Sequence, residues 1–152
     1  MTVSTYEFTV QCAAPPDAIF AVLADATGWK DWAGKAIAVS EWEREGDPAP
    51  GGVGAVRKLG RWPMFTLEEI TEYEPPHHLG YTIVSGVPVR GYHADIDFVP
   101  DGHHGTTIRW SGAFEPKIPG TGTALELLLG RTVLGFARAA AAEAEKRVRQ
   151  PG

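Results

Sequence analysis

Val3, Tyr6, Phe8 and Val10 are apolar positions in a Thr/Glu/Gln setting, which predicts a first strand over residues 3–11. Pro15-Pro16-Asp17 follows, and prolines at a helix start with an acid in the first turn are an N-terminal signal. Ile19, Phe20 and Leu23 give that helix one apolar face, and Gly28 ends it. Trp29-Lys30-Asp31-Trp32 reads as a second short helix or a turn. Six strand-like runs come next, over residues 37–42, 53–59, 65–73, 79–85, 92–99 and 106–114. Glycine- and proline-rich breaks at 46–52, 75–78, 86–88 and 100–102 separate most of them. Pro116, Pro119 and Gly120 end the series, and Thr121 or Thr123 can cap a long helix reaching about Arg149. Leu125, Leu128, Leu129, Thr132, Phe136 and Ala140 recur at helical spacing, with Arg131, Arg138 and Glu145 on the opposite side.

This order of elements predicts an α+β domain. Short strands joined by turns make a mostly antiparallel sheet, and the helix must bury its stripe against it. No repeat, linker or low-complexity segment divides the chain, so residues 1–152 read as one domain. Strand phase then sorts the side chains. Tyr92, Ala94, Ile96 and Phe98 point to one face; His93, Asp95 and Asp97 point to the other. Trp110 shares an inner phase with Ile108 and Phe114, and Tyr81 with Leu79 and Ile83. One sheet face therefore carries Tyr81, Tyr92 and Trp110 opposite the helix stripe. Two readings fit: a filled core, or a ligand pocket with a few polar tips. Periodicity alone favours the filled core, while buried tyrosine hydroxyls, which need partners that phenylalanine would not, tilt toward a pocket.

Composition narrows the partners. With 152 residues and 43% hydrophobic content the chain can bury a core without staples. A net charge of -5 argues against nucleic acid or an anionic membrane as the main partner. The single cysteine, Cys12, excludes an intrachain disulfide and reads as a small residue near a strand end. The sequence contains no asparagine, hence no N-glycosylation acceptor. No signal-peptide pattern or membrane-length apolar run is visible, and a cytoplasmic location is expected.

Several segments together resemble a known family. They are Ala14-Pro15-Pro16-Asp17 through Asp25, Trp29 to Trp32, Gly52-Val53-Gly54, Trp110 with Phe114-Glu115-Pro116, and Pro119-Gly120-Thr121-Gly122. Their order and spacing resemble the polyketide cyclase/dehydrase and lipid-transport family of the START-like, birch-allergen-like superfamily. The resemblance implies a helix-grip fold: a seven-stranded antiparallel sheet wrapped around a long C-terminal helix, with two short helices after the first strand. It also implies a deep apolar cavity that takes lipids, isoprenoids or polyketides, and in some members catalyses cyclisation or dehydration.

On this basis the expected pocket residues are Tyr81, Ile83, Tyr92, Ala94 and Trp110 from the strands. Leu125, Leu128, Leu129 and Phe136 form its floor, and Trp32, Trp42 and Phe65 complete it, with the tryptophans toward the mouth. The expected partner is a hydrophobic small molecule, with no cofactor. A homodimer is compatible with the chain, but no helical face is apolar enough to demand one.

Candidates for catalysis are sparse, and no catalytic set is identifiable. His93 lies mid-strand in the outer phase, and only a bulge at Gly91 would turn it inward. Arg57 and Arg90 are candidates of uncertain phase whose plain reading is a surface arginine, and Ser85 is similar. His93, Asp95 and Asp97 lie about 6.6 Å apart along one strand, which reads as a solvated charged face rather than a metal site. His77-His78 and His103-His104 sit at turns without cysteine or Glu-x-x-His company, so no metal is assigned. No nucleophile elbow, phosphate loop or dinucleotide fingerprint is present.

Overall fold

A computed structural model describes residues 3–150. It contains β1 (Ser4–Cys12), α1 (Pro16–Ala24), α2 (Trp29–Trp32), β2 (Val39–Arg44), β3 (Val56–Arg61), β4 (Met64–Glu74), β5 (His78–Ser85), β6 (Val89–Pro100), β7 (Thr106–Pro116) and α3 (Gly122–Arg149). The seven strands form one sheet in the order β1-β7-β6-β5-β4-β3-β2, every pair antiparallel. Its inner face packs against α3, giving a helix-grip fold as expected. No helix among the described residues is long and apolar enough to cross a membrane.

Two boundaries differ from the sequence reading. The first helix stops at Ala24 rather than running to Gly28, because the Asp25 carboxylate accepts from the Thr27 amide (3.0 Å) and hydroxyl (2.7 Å) and starts a separate 3₁₀ turn over Ala26–Gly28. The strand expected from Val53 begins only at Val56. Asp47 and Val53 bridge to each other, and the Gly52 amide donates to the Pro48 carbonyl at 2.7 Å, closing residues 46–54 into a tight loop. Thr121 stands at the start of α3, but its hydroxyl donates back to the Ile118 carbonyl instead of capping the helix.

β6 does contain a bulge at Gly91, the condition considered for turning His93 inward. The register with β7 shifts between Arg90 and His93, and Gly91 adopts φ 58°. Its effect is to let Val89 and Tyr92, three residues apart, both bury their side chains. His93 stays on the outer face.

The helix meets the sheet unevenly. In its C-terminal half the buried residues are Ala137, Ala140, Ala141 and Ala144, so α3 lies close to β1 and α1. There the Ala13 amide donates to Glu145 Oε2 at 2.8 Å, and Cys12 is fully buried against the Ala141 carbonyl. Burial raises the Cys12 thiol pKa. In the N-terminal half Leu125 and Val133 are buried and Leu129 and Phe136 half-buried, so larger side chains hold the helix further out. Leu128, expected in this stripe, is 61% exposed. At 100° per residue it lies about 105° from the centre of the stripe that Leu125, Leu129, Val133 and Ala140 define. Thr132 is exposed as well.

The two interior glycines of α3, Gly130 and Gly135, differ. A side chain at Gly130 would make ordinary contact with Tyr6, whereas Gly135 faces open space. Gly135→Ala is therefore expected to stabilise the protein by about 1 kcal/mol, read as a raised thermal midpoint. An unchanged midpoint would mean that the helix needs the glycine in some other way.

Candidate functional site

The inner face beneath the N-terminal half of α3 gathers aromatic side chains from β1, β5, β6 and β7. Tyr6, Tyr81, Tyr92 and Trp110 are all buried. The Tyr6 and Tyr92 hydroxyls bond to each other, and Trp110 Nε1 donates to the Tyr81 hydroxyl at 3.3 Å. Ring centroids step from Phe114 to Tyr92 (6.1 Å), Tyr92 to Tyr81 (6.0 Å), and Tyr81 edge-on to Trp110 (6.3 Å). Gly112 makes room for this layer: a side chain there would fall 2.4 Å from the Tyr6 ring.

Beside the phenols stands a buried ion pair. Arg57 on β3 is completely inaccessible, and its Nε donates to Glu68 Oε1 on β4 at 2.7 Å. Its Nη1 donates to the Leu23 carbonyl at 2.9 Å, an oxygen that also accepts from Trp29 Nε1 at 3.1 Å. That carbonyl is one of those left free at the C-terminal end of α1, where a cation is favoured. The guanidinium lies 4.8 Å from the Trp29 ring centroid and 5.1 Å from that of Tyr81. Its Nη2 is buried without a partner, as is Trp32 Nε1.

These surroundings keep the phenols protonated. Burial is the largest influence on each; it pushes Tyr6 up to about 12 and also raises Tyr81 and Tyr92, with the Glu68 charge adding in the same direction. The unfolded chain ionises its tyrosines near their ordinary value of 10.0. The associated stability is therefore fully present below that pH and falls as pH rises from 10.0 toward 12 and beyond. Spectrophotometric titration should show these three phenolates appearing only as the protein unfolds. A tyrosinate signal near pH 10.0 from three residues of a still-folded chain would contradict their burial.

Of the residues the sequence singled out, Tyr81, Tyr92, Ala94 and Trp110 come together on the inner face, with Ile83, Leu125, Leu129 and Phe136 packed around them. Trp32 lies tilted at 45° against Trp29, with ring centroids 4.7 Å apart, and Trp42 lies under Gly51, away from the phenols. Phe65 does not face this interior. It pairs with Gly60 in the outer phase of β3–β4 and lies under the Lys58 ammonium, 4.4 Å away. Leu128 points to solvent. Arg90 is exposed and Ser85 likewise, while His93 looks outward. Arg57 reverses its plain reading as a surface residue. Ala55 and Leu59, two residues to either side, share its phase and are buried, and that was the sequence signal for an inward arginine. Tyr6 and Glu68 belong to the cluster and were not singled out. Two open hollows, of about 220 and 310 Å³, are lined chiefly by outer-phase residues of β1, β6 and β7, including Arg90 in one and His93 with Asp95 in the other. Beneath α3 the tyrosines and Trp110 occupy the space.

A curved antiparallel sheet gripping one long helix over a polar-tipped aromatic interior defines the helix-grip class. The solved structures similar to this chain share that fold. They include the Zhui aromatase/cyclase from a Streptomyces species, at TM-score 0.80 and 21% identity, covering 99% of both chains. Norcoclaurine synthase from Thalictrum flavum matches at TM-score 0.75 and 21% identity over 96% of both chains. A protein from Thermobifida fusca matches at TM-score 0.76 and 23% identity over 97% of both. No curated protein sequence matches this chain. Residues 4–149 match the family model described as polyketide cyclase/dehydrase and lipid transport, and the chain belongs to that family.

Proposed function

We propose that this protein binds a hydrophobic small molecule carrying a hydrogen-bonding oxygen, such as an aromatic polyketide or an oxygenated isoprenoid, between the sheet and the N-terminal half of α3. The observation that carries the reading is the convergence of three tyrosine hydroxyls and a fully buried arginine in an otherwise apolar interior. A sealed core gains nothing from these groups, since burying them costs free energy that phenylalanine and leucine would not. A ligand oxygen gives them a use. The partnerless Arg57 Nη2 is a donor awaiting an acceptor, and protonated phenols can donate to a carbonyl. Apolar contact with Trp110, Leu125, Leu129 and Phe136 supplies affinity at about 25 cal/mol per Å² buried. Entry requires these side chains and α3 to move apart, and the exposed Leu127 and Leu128 mark the end of the helix where a ligand would enter.

A second reading, cyclisation or dehydration of a ketone-bearing substrate, is favoured by one observation: Glu68, a carboxylate against the cluster, sits beside groups able to polarise a carbonyl. It requires Glu68 to take a proton while Arg57 holds its other oxygen. Native mass spectrometry of the purified protein, followed by denaturing extraction, tests the first reading. A discrete adduct of lipid or polyketide mass, lost in Tyr92→Phe, supports it. A clean unliganded mass with no thermal shift across a panel of aromatic and isoprenoid ligands would count against it, and turnover of a poly-ketone lost in Glu68→Gln would establish the second.

A further inference from the structure

We infer that the outer face of the sheet carries a binding site for a divalent transition-metal ion, built from Glu72 on β4, His78 on β5, and His93 and Asp95 on β6. Ligand atoms of Glu72, His93 and Asp95 all lie within 4.8 Å of one another. His93 Nε2 is 3.3 Å from Asp95 Oδ1 and 3.8 Å from Glu72 Oε1. His78 Nε2 is 3.1 Å from the same Asp95 oxygen and 2.6 Å from Glu72 Oε2. A tetrahedral zinc ion with bonds of about 2.1 Å separates its ligands by about 3.4 Å. Three of the four spacings are already close to that value, and the shortest opens once a metal replaces the proton between His78 and Glu72.

Two features independent of the acidic groups fit this use. Gly80 lies on β5 directly between Glu72 and Asp95, paired with both. A side chain there would come within 3.1 Å of Glu72, so the glycine leaves Glu72 room to lie across β5 toward the β6 groups. A bare glycine inside a central strand weakens it, and close approach of another group is the usual reason for one. In addition, Asp97 Oδ1 accepts from His78 Nδ1 at 2.7 Å, which turns Nε2 toward the cluster. This carboxylate–histidine arrangement is how protein metal sites orient an imidazole. The hollow of about 310 Å³ lined by His93, Asp95 and Ser111 leaves the centre open on one side, so a water or an anionic ligand can complete the coordination. Imidazole with carboxylate selects zinc, or manganese and iron, over magnesium and calcium. Reading one strand at a time hides the site, because its ligands come from three strands.

Binding at His78 Nε2 displaces the proton between it and Glu72, while Nδ1 keeps the proton it donates to Asp97. The test is calorimetric titration of untagged protein with Zn²⁺, with bound metal counted by elemental analysis. One zinc per chain is expected, with no binding of Mg²⁺ at the same concentrations. Asp95→Asn and His93→Gln should each weaken binding at least about tenfold, and Asp97→Asn by about 10- to 100-fold. Glu72→Gln, at a half-exposed position, serves where another variant fails to fold. Replacing the turn residues His103 and His104 together with alanine should change nothing. The proposal is overturned if zinc does not bind, if the four site variants bind as the parent does, or if the His103/His104 variant abolishes binding.

Discussion

Arg57→Met is expected to destabilise the protein by about 3–5 kcal/mol, the range for removing one partner of a buried ion pair. Methionine has a similar reach but returns nothing to Glu68, whose side chain is only 12% exposed, and nothing to the Leu23 carbonyl at the end of α1. Stranding the Glu68 charge is the dominant cost, because a carboxylate in low-dielectric surroundings without a counter-ion must neutralise or drag water inward. Urea unfolding monitored by circular dichroism measures the loss. The double variant Arg57→Met/Glu68→Leu should recover most of it, since a buried pair replaced as a whole by apolar groups is often neutral or better. If the double variant is as unstable as the single one, the arginine acts mainly by tying α1 to the sheet. A folded double variant also separates stability from binding: under the proposed function it loses hydrophobic-ligand thermal shifts while keeping its fold.

Trp110→Ala should cost a comparable amount, about 3–5 kcal/mol, for deleting a buried aromatic. Trp110 is 1% exposed, edge-on to Tyr81 and 6.1 Å from Phe8. Its loss opens a void in the layer beneath α3 and removes the donor to the Tyr81 hydroxyl. Such a void, lined by aromatic rings, should accept a small apolar guest. Added indole is therefore expected to restore part of the lost stability of Trp110→Ala and to leave the parent unchanged. A loss below about 1 kcal/mol would mean that α3 collapses onto the sheet, which the bulky Leu129 and Phe136 stripe is expected to resist.

Much of the architecture was legible because strand and helix periods are local. The alternation around Tyr92 to Phe98 and Thr106 to Phe114 assigned the inner and outer faces correctly, and the outward turn of His93 followed from phase alone. A bulge at Gly91 was considered only as what would turn His93 inward; the bulge is present, but it brings Val89 inward and leaves His93 in place. Boundary differences at Asp25 and at residues 46–54 came from side-chain and loop hydrogen bonds that compete with the regular ladder.

The sequence by itself determined the element order, the antiparallel sheet, the long closing helix and the aromatic inner face, since each is written in a repeat of two or of 3.6 residues. The tertiary structure alone decided which groups meet. Arg57 and Glu68 are 11 residues apart and pair because β3 and β4 register them. Tyr6 and Tyr92, 86 residues apart, bond because β1 and β6 flank β7. Glu72, His78 and Asp95 gather across a glycine on adjacent strands. Phe65 and Leu128 left the interior for the same kind of reason, as the β3–β4 pairing and the rotation of α3 fix their directions. Strand pairing and helix rotation are long-range choices made by packing the whole core at once, and no local period encodes them.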